Sequence, residues 1–89
     1  MKRNEFYYIK EVAKQNSFSK AAKELGISQP ALSNYIKKIE ESVGVLLFDR
    51  SISPIEITEF GKIYLAYANE VIQATEKMNN IMSDLQDLK

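Results

Sequence analysis

The sequence predicts a mainly α fold with one small β-hairpin and a long closing helix, and three observations carry that expectation. Apolar residues recur at helical spacing through four separate stretches. Between the third and fourth, the pattern changes to two short apolar runs around a Ser-Pro turn. The last stretch then keeps a four-three apolar spacing almost to its end. With 89 residues the chain has room for one small core and not for a second.

In chain order, Asn4 is expected to cap a first helix whose apolar positions are Phe6, Ile9, Val12 and Ala13. Gln15-Asn16-Ser17 breaks it. A second, short helix is expected near Ser19, with Ala21, Ala22 and Leu25 apolar and Gly26 supplying the positive-φ stop. Ser28 caps the third helix, and Pro30 falls in its first turn, where a missing N–H costs nothing. Leu32, Ile36, Ile39 and Val43 form that helix's apolar stripe, which Gly44 ends. Val45 to Phe48 and Ile55 to Ile57 read as two strands, with Ser51-Ile52-Ser53-Pro54 as the turn between them.

Thr58 then caps the last helix. Tyr64, Ala68, Val71, Thr75, Met78, Met82 and Leu85 are spaced 4, 3, 4, 3, 4, 3, which is a coiled-coil seam. About 30 helical residues make a rod roughly 45 Å long, more than the preceding 58 residues can cover. The first two turns are expected to pack on the chain's own core. Beyond about Ile72 the seam calls for a partner helix, and hence for a homodimer. The boundaries follow: a domain over 1–58, containing a helix-turn-helix over 18–37 and a hairpin over 46–57, then a dimerisation helix over 59–89.

Composition narrows the chemistry. The chain has no Cys and no His, so disulfides, thiol nucleophiles, imidazole acid–base steps and Cys/His zinc sites are excluded. No nucleophile–base pair or metal cluster is legible, and an enzyme is not expected; nor is a cofactor. No apolar run could span a bilayer, and Met1-Lys2-Arg3-Asn4 leads into a polar-speckled helix rather than a signal-peptide core. Absence of Cys agrees with a reducing cytoplasm. Net charge is zero, but residues 1–50 carry nine Lys/Arg against six Asp/Glu, and residues 51–89 carry three against six. Such a division suits a basic face turned to a polyanion, though a split of three charges also arises by chance.

The segment Phe18 to Lys37 carries the functional signal. Two helices joined through Leu25-Gly26-Ile27-Ser28 form a helix-turn-helix. Ala22 is the small residue at their crossing, Gly26 makes the turn, and Ile27 and Leu32 close the core. With the stripe at 0° and about 100° per residue, Pro30, Ser33, Asn34, Lys37 and Lys38 fall on the opposite side. Gln29 stands at the helix start, where free N–H groups favour a phosphate. Gln and Asn can bond adenine bidentately, and Ser can donate or accept. Lys37 and Lys38 suit phosphates. The plain alternative is a solvated helix face.

Ser17-Phe18-Ser19-Lys20-Ala21-Ala22, Leu25, Ser28-Gln29-Pro30-Ala31-Leu32-Ser33, Ile36, Ile39-Glu40, Val43-Gly44, Leu47-Phe48-Asp49-Arg50, Ile57-Thr58 and Gly61 together resemble the N-terminal domain of LysR-type transcriptional regulators. The resemblance runs from about Phe6 to Ala68. It implies a winged helix-turn-helix that binds double-stranded DNA, with the third helix in the major groove, the wing at the neighbouring minor groove, and dimerisation through the last helix. Gln29, Pro30 and Ser33 match the family's groove-facing positions, while Ser17 and Ser28 match helix starts near phosphates. Asn34 and Tyr35 fall where members vary and are expected to set this chain's site preference, with half-buried packing as the other reading of Tyr35. Arg50 has two readings, a DNA backbone contact or an internal bridge to Glu40. Many relatives carry a basic residue in the wing, where this chain has Ser51-Ile52-Ser53-Pro54, so the minor-groove contact is either absent or falls to Ser53 and backbone groups. The resemblance further implies a cytoplasmic, nucleoid-associated regulator whose small-molecule effector would bind a separate domain, so that this chain reads as a DNA-binding fragment of a longer protein. From a different class, the runner-up is a winged-helix module that binds protein.

Overall fold

The computed structural model describes residues 4–88; Met1 to Arg3, where the amino-terminal reading begins, and Lys89 lie outside them. Four helices and one two-stranded sheet follow in order: α1 (Asn4–Gln15), α2 (Phe18–Leu25), α3 (Gln29–Val43), β1 (Phe48–Asp49), β2 (Glu56–Ile57) and α4 (Glu59–Asp87). This is the winged helix-turn-helix architecture with a long carboxyl-terminal helix.

Local chemistry sets each boundary. Asn4 is already helical, so it does not cap α1 from outside. Asn16 ends α1 at a φ of 51°, in the left-handed region that Asn tolerates. Ser17 caps α2 by accepting from the Lys20 amide, which starts that helix at Phe18, one residue before Ser19. Gly26, at φ 72°, turns the chain out of α2. Ser28 accepts from the Ala31 amide to begin α3. Thr58 accepts from the Gly61 amide at 2.9 Å to begin α4 and donates its hydroxyl hydrogen to the Leu46 carbonyl at 2.6 Å.

The core is one cluster in which Ile9 and Val12 of α1, Phe18, Ala21 and Ala22 of α2, Leu32 and Ile36 of α3, and Leu47 and Phe48 meet. Ala22 is buried, as a helix crossing needs. α1 packs on α2, α3 and the first part of α4. Gly61 is buried in α4 because nothing larger fits: a Cβ there would lie 2.1 Å from the Leu47 carbonyl oxygen and 2.5 Å from Ile57 Cγ1.

Three expectations change. The strands are shorter than the apolar runs, pairing only Phe48 with Ile57 and Asp49 with Glu56. The reason is Glu40: its carboxylate takes the Leu47 and Phe48 amides at 2.8 and 3.2 Å, and Thr58 takes the Leu47 carbonyl, so Val45 to Leu47 run as a bound loop. On α3, Val43 leaves the stripe at 45% exposed, while Glu40, next to the stripe position Ile39, is 6% exposed. Ala68, expected on the dimer seam, is fully buried within its own chain, as is Ile72 one turn on. The length of α4 that lies against α1 has already consumed that part of the stripe.

Farther along, α4 leaves the body of the protein. At 29 residues it is about 43 Å long, and the molecule extends 54 × 25 × 19 Å. Met78, Ile81, Met82 and Leu85 are exposed along the projecting part. Among the described residues, no helix is long and apolar enough to cross a membrane.

Candidate nucleic-acid interface

α3 is held on its inner side by Leu32 and Ile36 and presents its outer side to solvent. Gln29, Pro30, Asn34 and Lys37 are exposed there, and Pro30, Asn34 and Lys37 follow one another at the three- and four-residue spacing of one helix face. Ser28, at the capped start of α3, is exposed beside them. Ser17 caps α2 and also shares a hydrogen bond with Ser19, so its oxygen is engaged at a second helix start.

The remaining expected residues divide. Lys38 is exposed but lies on the other flank of α3, along a cleft of about 370 Å³ that Glu5, Tyr35, Ser42 and Tyr64 also line. It stands four residues on from Asn34 and so borders the outer face on the side away from Lys37. Tyr35 adopts the packing reading: its ring meets that of Tyr8 edge-on at 4.8 Å between centroids. Burial, then the charge of Glu5, pushes the Tyr35 phenol up from its ordinary value. Tyr64 is half-buried too; its hydroxyl donates to the Glu5 carboxylate, and its ring stacks on Phe6. Burial first, then the bond to Glu5, drives the Tyr64 phenol strongly upward.

Of the two readings of Arg50, the structure forms the internal one. Its Nη2 lies 3.2 Å from Glu40 Oε1, its Nη1 donates to Ser33 Oγ at 2.9 Å, and its guanidinium carbon stands 4.4 Å over the Phe18 ring. Arg50 therefore acts within the chain, as a clamp between α3, α2 and the root of the wing. Ser33 is half-buried under that clamp.

The wing itself is short and polar. Ser51 donates from its hydroxyl and its amide to the Asp49 carboxylate, and these two bonds hold the Asp49 carboxyl below its ordinary range. Ser53 is exposed at the tip, with Ile52 and Pro54 beside it.

Sequence reasoning offered Glu40 as a bridge partner for Arg50 but missed that it also accepts from the Leu47 and Phe48 amides. A carboxylate next to the stripe position Ile39 and ten residues before an Arg was the available signal, since a buried charge needs partners.

Comparison with known proteins bears on the same surface. Residues 4–62 match the model of a bacterial regulatory helix-turn-helix protein, lysR family. A probable RuBisCO transcriptional regulator from Cyanidium caldarium is 37% identical over 81 residues, covering 91% of this chain and 26% of that protein. Among solved structures, the BenM DBD in complex with catB site 1 DNA superposes with a TM-score of 0.92 at 30% identity, over 98% of this chain and 94% of that one. Vibrio fischeri DarR in complex with DNA gives a TM-score of 0.90 at 32% identity, over the whole of this chain and 30% of that one. The chain thus spans about a quarter of the length of the full regulators it resembles.

Proposed function

The chain belongs to the lysR family of bacterial regulatory helix-turn-helix proteins, and from that premise we propose that it binds double-stranded DNA sequence-specifically as a homodimer and so regulates transcription in the cytoplasm. One observation carries the reading: α3 is pinned from behind by a closed apolar core and clamped at its wing side by Arg50, while Gln29, Pro30, Asn34 and Lys37 stand free on its outer face. Asn and Gln supply paired donor and acceptor groups for base edges, and Lys37 supplies a phosphate contact. Ser28, exposed, and Ser17, half-buried, stand at two helix starts that suit neighbouring phosphates. Ser53 is the wing's side-chain contact to the minor groove.

We divide the chain for this purpose into a DNA-binding part over 1–58 and a dimerisation helix from 59 on. α4 supports the homodimer through Met78, Met82 and Leu85, which are exposed, with Val71 and Thr75 half-covered at the point where the helix leaves the body. A second apolar group, Phe60, Ile63 and Tyr67, is exposed near the start of α4. Two copies of α4 crossing in opposite directions would set the far group of each over the near group of the other. An effector-binding domain, as the length of the relatives suggests, would supply the response to a small molecule; no cofactor and no catalytic step enter this reading.

Selection from randomised duplexes at low salt tests it, because phosphate-driven affinity falls steeply with added ions. An inverted repeat with half-sites one or more helical turns apart, about 34 Å each, is the expected result. If no sequence is enriched, while a protein partner binds through the α3 face, the reading is wrong and the protein-binding module takes its place.

A further inference from the structure

Resting on the DNA-binding reading above, we infer that Arg50 fixes Ser33 as a hydrogen-bond donor, so that α3 recognises an acceptor atom of the DNA at one point in each half-site. A serine hydroxyl has one hydrogen and two lone pairs, whereas a guanidinium has donors only. The 2.9 Å contact from Arg50 Nη1 to Ser33 Oγ therefore occupies a lone pair and leaves the hydroxyl hydrogen to be given away. Among the described residues no acceptor of the chain takes that hydrogen. The contact is charge-assisted, which polarises the O–H bond and strengthens it as a donor.

The arrangement is held from three sides. Arg50 Nη2 meets Glu40 Oε1 at 3.2 Å, and the Phe18 ring lies under the guanidinium at 4.4 Å. Glu40 in turn is buried and anchored by the Leu47 and Phe48 amides. An orienting chain thus runs from the root of the wing, through Glu40 and Arg50, to one hydroxyl at the edge of the outer face, one turn beyond Pro30. Arg50 is a positioning residue, and it needs no contact with DNA to affect which duplex is bound.

A hydroxyl held this way can donate to purine N7, guanine O6 or thymine O4 in the major groove, or to a phosphate oxygen, and the positive charge of Arg50 makes its one remaining lone pair a poorer acceptor for the amino groups of adenine and cytosine. The test uses the dimeric chain and the duplex it selects, altered one position at a time. Base analogues remove single acceptors (7-deazapurines for N7, 6-thioguanine and 4-thiothymine for the exocyclic oxygens), and methylphosphonate linkages remove the charged phosphate oxygen. The wild-type chain is expected to bind about three- to tenfold less tightly at one position per half-site, the scale of a single hydrogen bond. Ser33→Ala should show no loss at that position, and Ser33→Thr, which keeps the hydroxyl, should restore it. Arg50→Lys, checked for folding by its melting curve, should blunt the same position and leave the others unchanged. Loss at a base analogue assigns the acceptor to a base edge, and loss at a methylphosphonate assigns it to the backbone; either supports the donor role. A Ser33→Ala chain that keeps every wild-type sensitivity overturns the inference while DNA binding stands. A pool from which nothing is selected overturns the DNA-binding reading and the inference with it.

Discussion

Removing the Glu40 side chain should cost more stability than any other polar truncation in the domain. Its two oxygens accept from the Leu47 amide at 2.8 Å, the Phe48 amide at 3.2 Å and Arg50 Nη2 at 3.2 Å. Glu40→Ala leaves two buried amides without an acceptor, at about 1–3 kcal/mol each. The Arg50 side chain is 26% exposed, so water recovers much of its share, and the ion pair adds only about 1 kcal/mol or less. Truncation also relieves the cost of burying a carboxylate, which keeps the total near about 3–5 kcal/mol. A domain of this size is stable by about 4–13 kcal/mol, so the loss is a large fraction of the whole. Glu40→Gln keeps one acceptor oxygen and should cost less, about 1–2 kcal/mol. The assay is equilibrium urea unfolding followed by circular dichroism at one fixed chain concentration, since dimerisation ties apparent stability to concentration. A Glu40→Ala chain within about 0.5 kcal/mol of wild type would refute the view that this carboxylate holds the root of the wing.

Gly61→Ala drives a Cβ to 2.1 Å from the Leu47 carbonyl oxygen, which is backbone and cannot swing away, so a loss of about 2–3 kcal/mol is expected in the same assay; an unchanged midpoint would contradict the close approach. Met78→Asp puts charge on the projecting part of α4 and should raise the dimer dissociation constant at least tenfold in sedimentation while monomer melting stays as it was; an unaltered dimer would remove Met78 from the interface. Alkaline pH should destabilise the domain, with Tyr64 as the larger contributor beside Tyr35. The Tyr64 phenol is pushed up in the folded chain by burial and by Glu5, so the stabilisation is complete below the ordinary tyrosine value of 10.0 and is lost as pH rises from there toward the folded value. Denaturation midpoints measured across pH 9–11 should fall for wild type and fall less steeply for Tyr64→Phe; parallel curves would mean Tyr64 is not the group responsible.

The four helices, the caps of α3 and α4 and the stops of α2 and α3 were legible because each rests on a local rule: Ser28 and Thr58 accept from amides three residues on, and Gly26 and Gly44 take the positive φ that ends a helix. Ala22 at the crossing was legible for the same kind of reason. What periodicity does not give is which flank of a stripe the rest of the chain will cover. Val43 ends the α3 stripe and Glu40 borders it, and the wing decides between them, because its amides need the carboxylate and its loop leaves Val43 open. Ala68 sits on the same four-three spacing as Met82, yet α1 reaches only the first of them. Arg50 was undecided for a similar reason: a guanidinium suits a phosphate and a carboxylate equally until the distance to Glu40 is known.

If the outer face of α3 reads base sequence, repeating the duplex selection with Asn34→Ala and Lys37→Ala beside the wild-type chain should show it. Asn34→Ala should keep affinity for DNA in general but lose its preference at one or two positions of each half-site, a discrimination of about 1–3 kcal/mol. Lys37→Ala should weaken every duplex alike and lower the salt dependence by about one unit, with preferences intact. Identical preferences for Asn34→Ala and wild type, with tight binding in both, would contradict the claim and place sequence reading elsewhere on the molecule.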